Sequence, residues 1–220
     1  MPRPKFSDDL RAQKRELILD AAMAVFEKEG GEHAISLRRL ATELGLSYSA
    51  PYRYFADKQE LVNALRARAF RWIEAEMREA IVGLSEPEQQ LESLAAAYIR
   101  GGLAHPHRYA LMFFALDQLE VAKRSIELKA AKRDALDVCT QVIAAGQARG
   151  DFPRAIDPLT ASHLFWIGAH GLVSLQVAGQ FVMGRDVKRL VPTLIQALRT
   201  GLEHADTAVK TVPVKEKRHA

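Results

Sequence analysis

Cysteine is almost missing from this sequence, since Cys139 is the single example among 220 residues. One thiol cannot close a disulfide within the chain, and a cysteine-based zinc site needs several such ligands. His105 and His107 flank a proline, but no carboxylate or cysteine lies close enough in the sequence to complete a metal site with them. We therefore expect neither a disulfide framework nor a bound metal.

Long hydrophobic runs are also missing. The longest apolar stretch, residues 164–177, is interrupted by His170, Ser174 and Gln176, so it is too short and too polar to span a membrane. The first sixteen residues contain no apolar segment of the kind found in signal peptides. These absences predict a protein of the cytoplasm.

Catalytic motifs are missing as well. The sequence contains no phosphate-binding glycine loop, no nucleophile with a matching base and no metal-ligand spacing. We therefore expect that the protein is not an enzyme and that it carries no cofactor.

The positive charge is small in total and uneven in position. The net charge is +4, and the excess of lysine and arginine lies within residues 1–15 and 210–220. A basic N-terminal arm could follow DNA phosphates, or it could simply aid solubility. The C-terminal residues 206–220 show no apolar periodicity and are expected to form a disordered tail.

The remaining sequence predicts an all-α fold. Apolar residues recur at helical spacing, and no segment alternates with the period of two that is typical of strands. We predict an N-terminal three-helix domain over residues 1–57 and a helical domain over residues 58–205. The expected helices cover residues 8–29, 37–44, 47–55, 58–81, 88–103, 106–116, 119–149, 158–178 and 186–203.

Residues 36–54 have the pattern of a helix-turn-helix, whose second helix enters the major groove of DNA. Ser36 can cap the first helix, and Gly45 permits the tight turn. The second helix can begin no earlier than Ser47, because Pro51 is tolerated only near a helix start. Its exposed residues would be polar or aromatic, which suits contacts with phosphates and base edges.

Three segments of the N-terminal region resemble the TetR family of bacterial regulators: ILDAAMAVFEKEG (18–30), ISLRRLATELGLS (35–47) and APYRYFADKQEL (50–61). The resemblance implies that Ser36 caps a helix and touches a phosphate, and that Tyr54 and Lys58 bind the DNA backbone. It places Ser47, Tyr48, Ser49, Tyr52 and Arg53 towards the groove. Pro51 stands where many members have leucine, and we assign Phe55 to the core.

Two further segments, HPHRYALM (105–112) and WIGAHG (166–171), resemble a subclass of that family with a Trp…His-Gly pattern in the penultimate helix. The family's C-terminal domain binds a ligand and forms the dimer. Bulky apolar residues with a few polar atoms are typical of a small-molecule pocket, although such residues, taken singly, are more often plain core. The pocket candidates are Tyr98, Met112, Phe113, Leu116, Cys139, Trp166 and His170.

The last two predicted helices carry wide apolar faces that could form a twofold four-helix bundle with a second copy. The alternative is that these faces pack only within one protomer. The interface candidates are Leu164, Ile167, Gly171, Leu175, Val187, Leu190, Val191, Leu194, Ile195 and Leu198.

The sequence thus predicts a homodimeric repressor that binds palindromic operator DNA and is released by a small, mostly apolar ligand. Two other interpretations stay open. One is an architectural DNA-binding protein without a ligand, although few basic residues lie outside the motif and the termini. The other is a helical interaction protein that does not bind DNA.

Overall fold

The computed structural model describes residues 5–113 and 125–203. Every regular element in this part of the chain is helical, which confirms the predicted all-α class. Short 3-10 turns lie at Glu32–Ala34 and Pro51–Arg53. The α-helices of the described residues are α1 (Lys5–Glu29), α2 (Leu37–Glu43), α3 (Lys58–Ala80), α4 (Pro87–Ala104), α5 (Pro106–Phe113), α6 (Ile126–Arg149), α7 (Pro158–Val177) and α8 (Val187–Glu203).

Short polar side chains fix the starts of several helices. The Ser36 hydroxyl accepts a hydrogen bond from the Arg39 amide at 3.1 Å, as predicted from the sequence. The Asp157 carboxylate caps α7 in the same way. These caps satisfy amide groups that have no partner within the helix. The helix bounds therefore follow from local chemistry that is readable in the sequence.

The expected helix over residues 119–149 is wrong at its start. Ser125 has an extended backbone and accepts a hydrogen bond from the Leu128 amide at 3.2 Å, so α6 begins at Ile126. A serine that caps a helix cannot lie within a continuous one. Residues 114–124, like the predicted tail at 206–220, lie outside the described residues.

The expected α-helix over residues 47–55 is also wrong in its geometry. Residues 47–54, which we call the recognition segment, form successive turns closed by bonds from the Ala50 amide to the Ser47 carbonyl and from the Tyr54 amide to the Pro51 carbonyl. Pro51 has no amide to bond with Ser47, and its ring would clash with the Ser47 carbonyl inside an α-helix. The segment therefore adopts the tighter 3-10 form.

The first of two hydrophobic cores lies among α1, α2 and the start of α3. Phe55, which the sequence assigned to the core, is fully buried there, against Ile18, Leu40 and Leu61 among others. This core holds the recognition segment from behind, since Pro51 is buried as well. The first core continues along α3 as far as Leu65, and the domain boundary after residue 57 stays a prediction.

The second core lies among α3, α4, α5, α6, α7 and α8. It is built from Ile73 and Met77 of α3 with Leu91, Val138, Phe165 and other apolar side chains. Because α3 contributes to both cores without a break, it joins the two halves of the molecule as one rigid rod.

Polar contacts tie α1 to the second half of the chain. The Glu27 carboxylate pairs with the Arg108 guanidinium, and His107 donates from Nδ1 to the Glu27 carbonyl at 2.9 Å. Arg15 donates to the Glu127 carboxylate at 2.8 Å. The first turns of α5 and α6 thus contact α1 directly.

We expect Phe55→Ala to destabilise the fold by about 3–5 kcal/mol, because it removes a fully buried aromatic ring and leaves a cavity. Urea unfolding at equilibrium measures the change. Tyr52→Ala is the matched control, since Tyr52 is 49% exposed and its loss should shift the free energy of unfolding by less than about 0.5 kcal/mol. Equal effects of both substitutions would contradict this account of the first core.

Candidate DNA interface and ligand cavity

The recognition segment exposes the residues that the sequence assigned to DNA. Tyr48 is 68% exposed and Tyr52 is 49% exposed, although both are large aromatic residues. Ser47, Ser49 and Arg53 are also exposed. Large exposed tyrosines on a segment anchored by buried residues are unusual for a surface without a partner.

A shallow groove of about 280 Å³ joins three of the predicted DNA residues, Ser36, Tyr52 and Lys58. We call it the Ser36 groove; its other lining residues are Leu37, Arg38, Ala56 and Asp57. The amino ends of α2 and α3 both open onto it, so the positive ends of two helix dipoles meet there. Backbone amides and dipoles of this kind favour an anion such as a phosphate.

A capping box fixes the edge of this groove. Asp57 accepts a hydrogen bond from the Glu60 amide at 2.8 Å, and the Glu60 carboxylate accepts one from the Ala56 amide at 2.6 Å. The two acids have the spacing of a capping box, with the second acid three residues after the capping residue. Lys58, in the first turn of α3, is exposed beside it. Tyr54 differs from its neighbours, because it is only half-exposed and packs against the first core.

Arg38 and Arg39 differ sharply in their partners. Arg39 forms ion pairs with Glu29 and Glu43, so it clamps α2 onto α1. The hydrogen bond from Arg39 lowers the pKa of the Glu29 carboxyl below its ordinary value, while the two acids raise the pKa of Arg39. Arg38 is exposed and lines the Ser36 groove, a role that the sequence did not single out. Successive residues of an α-helix point about 100° apart around its axis, so Arg39 faces α1 while Arg38 faces the Ser36 groove.

The second half of the chain surrounds a cavity of about 440 Å³, which we call the C-terminal cavity. Of the seven pocket candidates, Tyr98, Met112, Phe113, Cys139 and Trp166 line it. Leu116 lies outside the described residues. His170 is behind the lining, with its ring centroid 4.3 Å from that of Phe113 and 5.7 Å from that of Trp166.

Much of the apolar wall was not predicted. It comes from α3, α4 and α7 and includes Phe70, Ile73, Met77, Leu91, Leu94 and Phe165. These residues lie on the same apolar stripes as the core, so nothing in their spacing distinguishes a cavity wall from close packing. The cavity exists only because the helices do not close fully upon one another.

A chain of hydrogen bonds begins at two lining residues of the cavity, Trp166 and Tyr98. Trp166 donates to the Tyr98 hydroxyl at 3.2 Å, Tyr98 donates to the Tyr109 hydroxyl at 3.4 Å, and the Tyr109 hydroxyl lies 2.5 Å from His170 Nδ1. Burial raises the pKa of Tyr98 and raises the pKa of Tyr109 to about 12, so both phenols are neutral.

His170 completes this chain as a neutral imidazole. Burial lowers the pKa of His170. In the neutral ring, Nδ1 accepts a hydrogen bond from the Tyr109 hydroxyl, and the protonated Nε2 donates one to the Ser174 hydroxyl at 3.4 Å. Tyr109, which is fully buried, was not among the predicted site residues. The arrangement satisfies buried polar groups and fixes the orientation of one cavity wall.

The predicted dimer residues fall into two sets. Leu164, Ile167 and Leu175 of α7 are exposed, with Ile167 at 60%, and open space lies beside Gly171. The residues of α8 are less exposed: Val187 is buried, Ile195 is half-exposed, and four partly buried leucine or valine side chains pack against the second core. These four are Leu190, Val191, Leu194 and Leu198.

Gly168 explains how α8 approaches α7. A Cβ atom at this position would lie 3.0 Å from Leu198 Cδ1 and 3.3 Å from Leu194 Cδ1, so a larger residue would push the helices apart. Because Gly168 has no side chain, α8 can cover one side of α7. The stripe formed by Leu164, Ile167 and Leu175 stays uncovered.

Two absences concern only the described residues. None of the helices over residues 5–113 and 125–203 is long and apolar enough to cross a membrane. Within the same ranges, no three histidine, cysteine, aspartate or glutamate side chains are grouped as a metal ion would require.

Family models match both halves of the chain. The model described as "Bacterial regulatory proteins, tetR family" matches residues 18–65, which include α2 and the recognition segment. The model described as "Tetracyclin repressor-like, C-terminal domain" matches residues 91–198, which include most of the C-terminal cavity.

Similar proteins agree with these matches. The chain is 31% identical to the HTH-type transcriptional repressor NicS of Pseudomonas putida over 151 residues, which are 65% of this chain and 69% of that protein. It is 25% identical over 177 residues to the HTH-type transcriptional repressor KstR2 of Mycobacterium tuberculosis, covering 76% of this chain and 88% of the relative. A Rhodococcus protein of unknown function superposes with a TM-score of 0.74 and 27% identity, covering 86% and 95% of the two chains.

Cys139 offers a direct test of the cavity. Burial raises the pKa of its thiol to about 12, so the reactive thiolate is scarce at neutral pH. We expect a disulfide reagent such as Ellman's reagent to react with the folded protein at least about 100-fold more slowly than with the urea-unfolded protein at pH 8. The rate is measured at 412 nm, and no other thiol in the chain contributes. Comparable rates in the two states would contradict the position of Cys139 in the cavity wall.

Proposed function

Because the chain belongs to the TetR family of DNA-binding transcriptional regulators, we propose that it represses transcription by holding operator DNA at the recognition segment and the Ser36 groove. A small, mostly apolar ligand in the C-terminal cavity releases the DNA. The protein acts as a homodimer in the cytoplasm, on operators with twofold symmetry. Residues 1–57 form the DNA-binding part, and residues 58–205 form the part that senses the ligand and dimerises.

The observation that carries this proposal is the exposed recognition segment next to the Ser36 groove. Tyr48, Tyr52 and Arg53 would enter the major groove, while Ser47 and Ser49 contact phosphates or base edges. The Ser36 groove would hold one phosphate between the amino ends of α2 and α3.

Lys58 and Arg38 would add positive charge on either side of that phosphate. Tyr54, being half-buried, would reach the backbone only through its hydroxyl.

Ligand release is supported by the path from the cavity to α1. Met112 and Phe113 line the cavity at the end of α5, and the first turn of the same helix holds Glu27 through His107 and Arg108. A ligand that displaces Phe113 would move α5, and α1 would follow. The population would shift towards a dimer whose recognition segments no longer match the operator spacing.

Dimerisation is supported by the uncovered stripe of α7. Exposed apolar residues recur at positions 164, 167 and 175, and Gly171 between them leaves room for a close approach. A twofold axis along this stripe would bury it against the same stripe of a second copy. The α8 residues would then contribute mainly by supporting α7 from behind.

We expect the double substitution Tyr52→Ala with Arg53→Ala to weaken operator binding by about 100-fold or more, since each direct contact is worth about 1–3 kcal/mol. Gel shifts or fluorescence anisotropy with a duplex from the gene's own upstream region measure the affinity. The variant should melt at the same temperature as the native protein, because both side chains are exposed.

Arg185→Ala is the control for this experiment. Arg185 is an equally exposed cation in the loop before α8, so its loss should leave the affinity for the operator unchanged. If the double variant binds as tightly as the native protein, the assignment of Tyr52 and Arg53 is wrong.

We expect Ile167→Glu to convert the dimer into a monomer, because a carboxylate at the centre of a twofold apolar interface would face its own copy. Sedimentation velocity at micromolar concentration measures the mass. Leu159→Glu is the matched control, since Leu159 is also exposed on α7 but lies about 120° from the stripe around the helix axis. A monomer from both variants, or from neither, would contradict the proposed interface.

A further inference from the structure

We infer that the C-terminal cavity takes an amphiphilic anion, whose apolar body fills the cavity and whose negatively charged group pairs with Lys132. This inference rests on the proposed function, which makes the cavity the effector site. It adds the chemical class of the effector and the residue that selects it.

The volume and the walls define the apolar body. At roughly 30 Å³ for each water-sized group, the cavity of about 440 Å³ holds about fifteen non-hydrogen atoms. Its inner wall is aliphatic and aromatic, with Ile73, Met77, Leu91 and Leu94 along one side. A chain or ring system of that size would be desolvated by these side chains, which is the main source of affinity for such ligands.

Lys132, an exposed residue that also lines the cavity, places a positive charge at the edge of this wall. Its Nζ atom lies 5.7 Å from the centroid of the Phe70 ring, and Phe70 makes an edge contact with Phe113 at 5.5 Å. All three residues line the cavity. The lysine is anchored on α6 and reaches across to an aromatic pair on α3 and α5, so its ammonium group borders the space that a ligand would occupy.

The charge of Lys132 is not balanced within the described part of the chain. No carboxylate among residues 5–113 and 125–203 forms an ion pair with it, whereas its neighbour Arg133, which also lines the cavity, pairs with Asp134 at 3.1 Å. Partial burial lowers the pKa of Lys132, and the nearby charge of Arg66 lowers it further. A ligand anion would relieve both effects, because an opposite charge favours the protonated amine.

The other polar groups of the cavity leave little for a neutral ligand to bind. The Ser162 hydroxyl donates to the Leu159 carbonyl at 2.9 Å, and His163 donates to the same carbonyl at 2.7 Å. The Tyr98 hydroxyl already donates to Tyr109 and accepts from Trp166. A neutral hydroxyl on the ligand would therefore gain less here than a carboxylate facing Lys132.

Three probes with the same ten-carbon chain test the inference: decanoate, 1-decanol and decylammonium. Each is titrated into the full-length protein below its micelle concentration or, for 1-decanol, below its solubility limit, and the dissociation constant is measured by calorimetry. We expect decanoate to bind at least about ten-fold more tightly than 1-decanol, and decylammonium to bind most weakly, since a charge-assisted contact contributes that much.

Variants at Lys132 identify the source of the preference. Lys132→Met should remove the preference for decanoate and leave the affinity for 1-decanol unchanged, which also shows that the cavity is intact. Lys132→Arg should keep the preference. Lys129→Met is the control, because Lys129 is also exposed and lies about one turn earlier on α6, but it does not line the cavity. Equal binding of decanoate and 1-decanol to the native protein, or a preference that survives Lys132→Met, would overturn the inference.

Operator binding in the same samples separates this inference from the proposed function. If decanoate binds through Lys132 but the operator stays bound, the inference stands and ligand release fails. If 1-decanol releases the operator while decanoate does not, release stands and the inference is overturned. If none of the three probes binds, the cavity does not accept an amphiphile and the inference is likewise overturned.

Discussion

Helix α3 is the constraint on which the rest of the structure depends. It runs unbroken from Lys58 to Ala80, and its side chains are buried in both hydrophobic cores. The Asp57 cap fixes its amino end at the Ser36 groove, while Phe70, Ile73 and Met77 of its second half line the C-terminal cavity. One rigid element therefore sets the geometry of the Ser36 groove and the shape of the C-terminal cavity at once. A helix buried on most of its faces cannot tilt without disturbing both cores.

Helix α5 is the second, much shorter connection between the same two sites. Its carboxyl end borders the cavity, and its amino end contacts α1 through Glu27. It also touches α3, because the Arg108 guanidinium lies 4.8 Å from the centroid of the Trp72 ring. It is buried as well, with Leu111 in the first core and Tyr109 and Met112 in the second, but it has only eight residues against the twenty-three of α3, and a shorter helix shifts at a lower cost. Ligand-driven motion is therefore more easily carried by α5, with α3 as the fixed frame.

A structural feature could be predicted from the sequence when it is caused by residues that are close together in the sequence. The cap at Ser36, the buried Phe55 and the exposed tyrosines follow from neighbours in the sequence, and the sequence predicted them. Pro51 is the cause of the 3-10 turn, but the type of turn depends on a clash between the proline ring and the Ser47 carbonyl, which arises only if the segment is an α-helix. The wall residues Ile73 and Leu91 could not be distinguished from core, since a cavity reflects how whole helices fail to close. Likewise, spacing alone does not tell whether the apolar face of α8 meets its own protomer or a second one.

The amphiphilic-anion inference connects these two helices through one pair of cations. Arg66, in the middle of α3, is buried and donates to the Met112 carbonyl at 3.1 Å, so it holds the last turn of α5 against the rod. A cation at this position also stabilises the negative end of a helix dipole. The charges of Arg66 and Lys132 repel each other. An anion that pairs with Lys132 would therefore also change the electrostatic energy of Arg66, whose hydrogen bond holds α5. A neutral ligand could press on Phe113 only by its bulk, whereas an anion would act on both the packing and the charge that keep α5 in place.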